Sequence, residues 1–240
     1  MGQLTYTIAQ EVFDQFPEYV RGVVFATRVQ NGESSPDLVK LLRAAEASVR
    51  EQLTPETITA HPRIAAWREA FRKQGIKTSE YRPSVEAMAR RALRGQELPS
   101  INMLVDIGNI ISLRHLVPLG GHAINVVTQD LALRRASGKE EFVPFGSDQM
   151  EHPAPGEIVF VEGNNVLTRR WIWRQATRTL TLPSTAAIEF NIDGLPPVSR
   201  ADVGTIAGEL MELVRQYCGG QGYSEALWRE HPQIPLPPAS

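Results

Sequence analysis

Three polar side chains, Asn102, Asp106 and Asn109, interrupt an otherwise apolar run within residues 94–125. Their spacings of four and three residues put them on one face of a helix. Leu104, Ile107 and Ile111 fall on another face, the one a core would take. Lone buried amides and carboxylates are costly, so the polar stripe must close a structural hydrogen-bond network or line a ligand cavity. The sequence leaves both readings open. In the second, Gly120 and Gly121, followed at once by His122, form the rim of the cavity.

A second unusual stretch is L-T-R-R-W-I-W-R-Q, residues 167–175. Read as one strand, it places Leu167, Arg169, Trp171, Trp173 and Gln175 on one face, and Thr168, Arg170, Ile172 and Arg174 on the other. Alternating cations and flat rings suit phosphates and bases. A half-exposed strand with Trp inward and Arg snorkelling outward accounts for the same composition. Arg90, Arg91 and Arg94 crowd the end of an expected helix. There they complement its dipole or form a phosphate-contacting patch. Nucleophile-elbow, P-loop, dinucleotide and H-E-x-x-H signatures are all absent. His115 and His122 lack the carboxylate or thiol spacing of a metal site, so neither metal nor cofactor is expected.

The elements that must position these residues read as follows. Residues 1–30 are β-rich, with strands at 6–9 and 21–29 and a turn around Phe13 to Pro17. Ser35 caps a helix that starts at Pro36 and reaches about Gln52. A second helix covers 62–74, with Ile64, Trp67 and Phe71 inside and Gly75 closing it. Residues 76–82 are irregular, and a third helix covers 85–94. After the central helix come strands at 126–133, 156–161, 167–175, 177–182 and 186–192, with turn signals at Asn164-Asn165 and Asp193-Gly194. Ser199 and Asp202 form a capping box for a last helix over 200–217. Residues 137–155 are the best internal break, and 228–240 read as a proline-rich, extended or mobile tail. Segregated helices and strands indicate an α+β layout rather than alternating βαβ units.

At 240 residues the chain fits one large or two small domains. A formal net charge of −2 argues against non-specific coating of nucleic acid and leaves room for a local basic face. The single Cys218 rules out an internal disulfide framework and reads as a packing thiol. No apolar run is long enough to span a bilayer, and the N-terminus has no signal-peptide pattern. Tyr6 replaces the Ser or Thr of a myristoylation motif. A soluble cytoplasmic protein is the expectation.

The segment P-S-I-N-M-L-V-D-I-G-N-I-I-S-L, followed by P-L-G-G-H-A, resembles the B3/B4 domain of the phenylalanyl-tRNA synthetase β subunit. That domain carries P-x-x-N-x-x-V-D-I-T-N-Y-V and then P-L-H-A. Pro99, Asn102, Val105, Asp106, Ile107 and Asn109 fall in register with it. K-T-S-E-Y-R-P-S-V-E-A and R-R-W-x-W-R-Q are similar to its free-standing members. The resemblance runs over residues 16–217 and implies one B3/B4-like domain of packed mixed β-sheets with flanking helices. In the synthetase this domain hydrolyses the ester of mischarged tyrosyl-tRNA. The resemblance therefore implies a tRNA partner, held by its aminoacylated 3′ end, and trans-editing. A non-catalytic RNA-binding module and an amino-acid or small-molecule sensor are the alternatives. On this resemblance Asn102, Asp106 and His122 are the candidate catalytic residues. Asn109, Gly120, Gly121, Glu162, Arg170, Trp173, Arg174 and Gln175 would bind substrate, with Glu162 pairing the α-amino group. Lys77, Arg82, Arg90, Arg91, Arg94 and Arg169 would bind tRNA. Two departures from the synthetase are visible: two residues are inserted before His122, and its M-G-G-E segment is replaced by Trp173-Arg174-Gln175.

Overall fold

The computed structural model describes residues 3–237. The Met-Gly start and the last three residues of the tail lie outside the described residues. Two sheets face each other, and helices cover the outer face of one of them. The smaller sheet has four strands in the order β3 (Leu119–Ala123), β8 (Ala187–Gly194), β2 (Val20–Thr27) and β9 (Gln221–Leu227), all antiparallel. The larger sheet has six, in the order β10 (Gln233–Pro235), β1 (Thr5–Ile8), β4 (Leu131–Arg135), β5 (Ile158–Glu162), β6 (Asn165–Arg169) and β7 (Arg174–Gln175). Its β1 and β4 pair in parallel and its other pairs are antiparallel.

Strand β2 shows how the layers arise. Its period-two alternation sends Val20, Val24 and Ala26 toward the helices and Val23 and Phe25 toward the other sheet. The helical layer is α2 (Pro36–Gln52), α4 (Ser84–Leu93), α5 (Met103–His115) and α6 (Arg200–Cys218). Short α1 (Gln10–Gln15) and α3 (Pro62–Lys73) flank the inter-sheet core, which Trp67 and Phe71 of α3 enter. Gly22 lets α6 approach β2 closely: a Cβ there would stand 2.5 Å from Val203 Cγ1. The expected Ser35 cap and the Ser199–Asp202 capping box both form.

Several local expectations are corrected. Residues 10–15 are helical, because Val12 and Phe13 bury one face of a short amphipathic turn. Pro118 to Ala123 is not a loop before a strand at 126–133. Leu119–Ala123 is itself β3, and Gly120 and Gly121 are there for room, since Cβ atoms would meet Asn191 Oδ1 at 2.9 Å and Phe190 at 3.2 Å. Residues 177–182 form no strand, whereas Gln221–Leu227 does. Asp193-Gly194 lies within β8 rather than in a turn. The tail is anchored, as β10 pairs with β1 and buries Ile234 and Leu236.

Two of the three polar residues of the stripe, Asn102 and Asp106, are spent on structure, and Asn109 is half-buried. Asn102 caps the helix, accepting from Val105 N (3.1 Å) and donating to Thr181 O (2.9 Å). Asp106, fully buried, accepts from Ser34 Oγ (2.6 Å), Ser100 Oγ (2.5 Å) and Ile101 N (3.0 Å). The carboxylate ties two loops to the first turn of α5. Replacing Asp106 by Ala strips these donors of their acceptor and is expected to lower the unfolding free energy by about 3 kcal/mol. The reading is a lower urea midpoint at an unchanged slope, and an unshifted midpoint would contradict this role.

Candidate functional site

The inter-sheet core is not apolar throughout. Strand β8 reads E-F-N-I-D, so Glu189, Asn191 and Asp193 share the face turned toward the six-stranded sheet. Arg21 of β2 is paired in register with Asp193, and His122 of β3 with Glu189. All five side chains are buried. Arg21 donates from Nε to Asp193 Oδ1 (2.8 Å) and to Tyr19 Oη (2.9 Å), from Nη1 to Tyr6 Oη (3.0 Å), and pairs Asp193 again through Nη2 (2.8 Å). Tyr19 also donates to Asp193 Oδ1, and Tyr6 donates to Glu189 Oε1 (3.0 Å). Burial opposes every charge here. Burial raises the Asp193 carboxyl above its usual range, against the pull of Arg21, and pushes Glu189 up to about 7 against the same pull.

A cavity of about 130 Å³ opens beside this cluster. Gly120 and His122 of β3, Asn191 and Asp193 of β8, Thr168 of β6, and the turn from Trp171 to Gln175 line it, together with Ser84. His122 is buried; burial and then the nearby Arg21 hold its imidazole down at about 3. It is therefore neutral at physiological pH. Thr179 Oγ1 lies 2.7 Å and Gln175 Nε2 3.4 Å from Nδ1, while Thr168 Oγ1 lies 3.3 Å from Nε2. Gln175 Nε2 donates to Gly121 O (2.8 Å) and Thr179 O (3.2 Å), and both threonine hydroxyls can donate or accept, so either ring nitrogen can carry the imidazole proton.

The segment 167–175 is not one continuous strand. Arg170 and Trp171 take positive φ values of 46° and 65°, and the chain folds back so that β7 pairs with β6. The face assignments of a straight strand therefore fail. Arg169 is buried against Glu151 (2.7 Å) and Glu157 (2.8 Å) and is unavailable to tRNA. Arg170 stacks over Tyr81 (3.6 Å) and Trp173 (4.4 Å), outside the cavity lining. Arg174 lines the cavity, half-buried, and donates to Phe145 O (3.0 Å).

The predicted residues thus separate. Gly120, His122, Trp173, Arg174 and Gln175 meet at the cavity. Asn102, Asp106 and Asn109 belong to α5, which packs on the opposite face of the four-stranded sheet. Gly121 faces Phe190 on that side. Glu162 is also elsewhere: it accepts from Arg178 Nε (2.5 Å) and from Thr128 N (2.7 Å). Burial would raise its carboxyl, but these donors hold it low. Lys77, Arg82 and Arg90 line one basic depression with Arg68 and Arg72, though buried Glu86 occupies Arg68 and Arg90. Arg91 and Arg94 lie outside that depression, with Arg91 donating to Glu97 O. Sequence reading missed Arg21, Thr168, Thr179, Glu189, Asn191 and Asp193; the polar residues at every second position of β8 were the available signal. Among the described residues, no cluster of three His, Cys, Asp or Glu is placed to hold a metal, and no helix is long and apolar enough to cross a membrane.

A buried neutral histidine leaves a pH signature. Unfolding lets it protonate near 6.5, so it lowers stability as pH falls from 6.5 toward about 3. Glu189 opposes this. Its raised carboxyl contributes stability that is full below about 4.5 and is lost as pH rises through about 7. His122→Gln keeps a polar side chain and removes only the first effect. Between about pH 7.5 and about pH 5, the native protein is expected to lose on the order of 2 kcal/mol more than this variant. Urea titrations at the two pH values measure the difference, and equal losses would contradict the assignment.

A sequence model of the B3/4 domain matches residues 66–219, more than half of the chain. Among solved structures, the N-terminal fragment of the phenylalanyl-tRNA synthetase β-subunit from Pyrococcus horikoshii superposes with a TM-score of 0.52. The two are 10% identical, and the match covers 98% of this chain and 55% of that one, so the likeness is one of fold. No curated protein matches in sequence. The geometry, the two-sheet fold and the family match agree, and the chain belongs to the B3/4 domain family.

Proposed function

We propose that this chain binds the aminoacylated 3′ end of tRNA and hydrolyses the ester of mischarged forms. The observation that carries the reading is the delivery of Thr168, Trp173, Arg174 and Gln175 by one folded-back segment to a small polar cavity facing His122 and Asn191. Family membership and the synthetase fragment's fold support it. Arg174 and Trp173 offer a cation and a ring to the terminal nucleotide at the cavity mouth. Tyr81 and Arg170 extend that surface toward the basic depression around Lys77 and Arg82.

Hydrolysis adds water across the ester, releasing the free amino acid and the tRNA hydroxyl. His122 is too acidic a conjugate pair to serve as a strong base at neutral pH. Its Nε2 instead holds the Thr168 hydroxyl (3.3 Å) at the cavity wall. That hydroxyl and the Asn191 amide are uncharged donors for the carbonyl oxygen as negative charge develops. Positioning supplies the remainder, because the ester is already reactive.

The test is amino-acid release from a panel of mischarged tRNAs. At least one is expected to be hydrolysed above background, with His122→Ala about a hundredfold slower and Arg174→Ala raising KM about tenfold. Folded protein that releases nothing from any tRNA would sink the enzymatic reading. The basic depression favours one alternative, a non-catalytic RNA-binding module. It predicts tRNA affinity that falls steeply with salt, and no hydrolysis.

A further inference from the structure

We propose that the free carboxylate oxygen of Asp193 receives the ammonium group of a small amino-acid ester or amide entering the inter-sheet cavity. The inference rests on the reading of that cavity as an aminoacyl site and names the group that orients the ligand. Asp193 is the only acidic residue lining the cavity, and its side chain is 1% exposed. Oδ1 is saturated by Arg21 and Tyr19. Oδ2, equally buried, has no hydrogen-bond partner among the described residues. A buried carboxylate oxygen without a donor is costly, so Oδ2 calls for a donor from outside the chain, and it faces the cavity from which one can come. Asn191 stands beside it. Its amide nitrogen donates to Glu189 (3.4 Å), which leaves its carbonyl oxygen, next to Gly120, as a second acceptor for an ammonium.

Charge balance points the same way. Arg21 brings one positive charge to the cluster, and Asp193 with Glu189 two negative ones when both are ionised. Tyr6, Tyr19 and the neutral His122 add none. With Glu189 raised to about 7, either a proton on that carboxyl or one incoming ammonium balances the cluster. The lining also differs in exposure: the Asp193 carboxylate is buried, and Arg174, the lining cation, is half-buried. A ligand with its ammonium inward and a phosphate outward matches that order. About 130 Å³ is room for roughly four waters, which suits a short side chain. Glu162, the ammonium partner expected from sequence, has its carboxylate occupied by Arg178 and Thr128.

Calorimetric titration of the full chain with glycinamide and alaninamide, each against its N-acetyl derivative, tests this directly. The free amines are expected to bind at least about tenfold tighter, and Asp193→Asn to erase the gap. Equal binding of the acetylated forms, or no binding of either, overturns the inference. The ligand comparison on the native protein decides even where Asp193→Asn does not fold. Failure of the tRNA panel with amine-selective binding intact would reject hydrolysis alone. Hydrolysis that is indifferent to N-acetylation would reject the Asp193 assignment alone.

Discussion

The buried ion pair between Arg21 and Asp193 sets the terms for everything around it. Two charges sealed between sheets are tolerable only when their remaining hydrogen-bonding capacity is met, and breaking such a pair from one side costs about 3–5 kcal/mol. The guanidinium is met by Tyr6 from β1 and Tyr19 from the approach to β2, while Phe160 of β5 lies under it at 5.2 Å. The pair therefore links the two central strands of the small sheet to the large one. It fixes their separation where apolar side chains alone would permit sliding. The cavity follows from this constraint, since polar groups that must keep their partners cannot collapse to fill the space beside them.

The second constraint is the reversal at Arg170 and Trp171. Two successive non-glycine residues at positive φ cost of order 1–3 kcal/mol each and persist only where the surroundings over-determine them. Here they do. Trp171 is wedged against Phe16, Tyr19 and Trp67 with ring centroids 4.8–5.0 Å away, and its indole N–H reaches Tyr19 Oη (3.3 Å). Glu157 binds the Arg169 guanidinium and the Arg170 backbone N–H together. With the turn pinned on both sides, β7 returns beside β6 and brings Arg174 and Gln175 to the cavity. Gln175 then donates to Gly121 O (2.8 Å), closing the link between the turn and the strand that carries His122.

The longer helices were legible because their signals are local: Ser35 before Pro36, the Ser199–Asp202 box, Gly75 after α3. Strands β2 and β8 were legible from their β-branched content. The central polar stripe was visible too, and Asn102 and Asp106 take the first of its two open readings, the hydrogen-bond network. What stayed hidden depends on contacts distant in sequence. Nothing near Gly120 says that Asn191 will crowd it, so β3 read as a rim. Nothing in R-R-W-I-W-R-Q announces two positive φ values, because the energy that enforces them comes from Phe16, Trp67 and Glu157. Arg21 looked like an ordinary strand residue, since its partner lies 172 positions away. Of the residues marked by the resemblance, Gly120, His122, Trp173, Arg174 and Gln175 meet at the cavity, while Asn102 and Asp106 hold the scaffold at the start of α5.

The neutral histidine completes the physical picture. In many hydrolytic sites an imidazole gains basicity from a carboxylate, but His122 has hydroxyls and an amide as its hydrogen-bonding partners, with a guanidinium nearby. Burial first and then that guanidinium disfavour protonation, so the imidazole remains a neutral, fixed dipole. A fixed dipole suits a reaction whose barrier is lowered by orientation, because it does not reorganise as charge develops. It also keeps the seam from acquiring a second cation beside Arg21. Glu189, raised to about 7, relieves the charge of the cluster by holding a proton, while Asp193 stays paired to Arg21 through Oδ1 and keeps Oδ2 at the cavity.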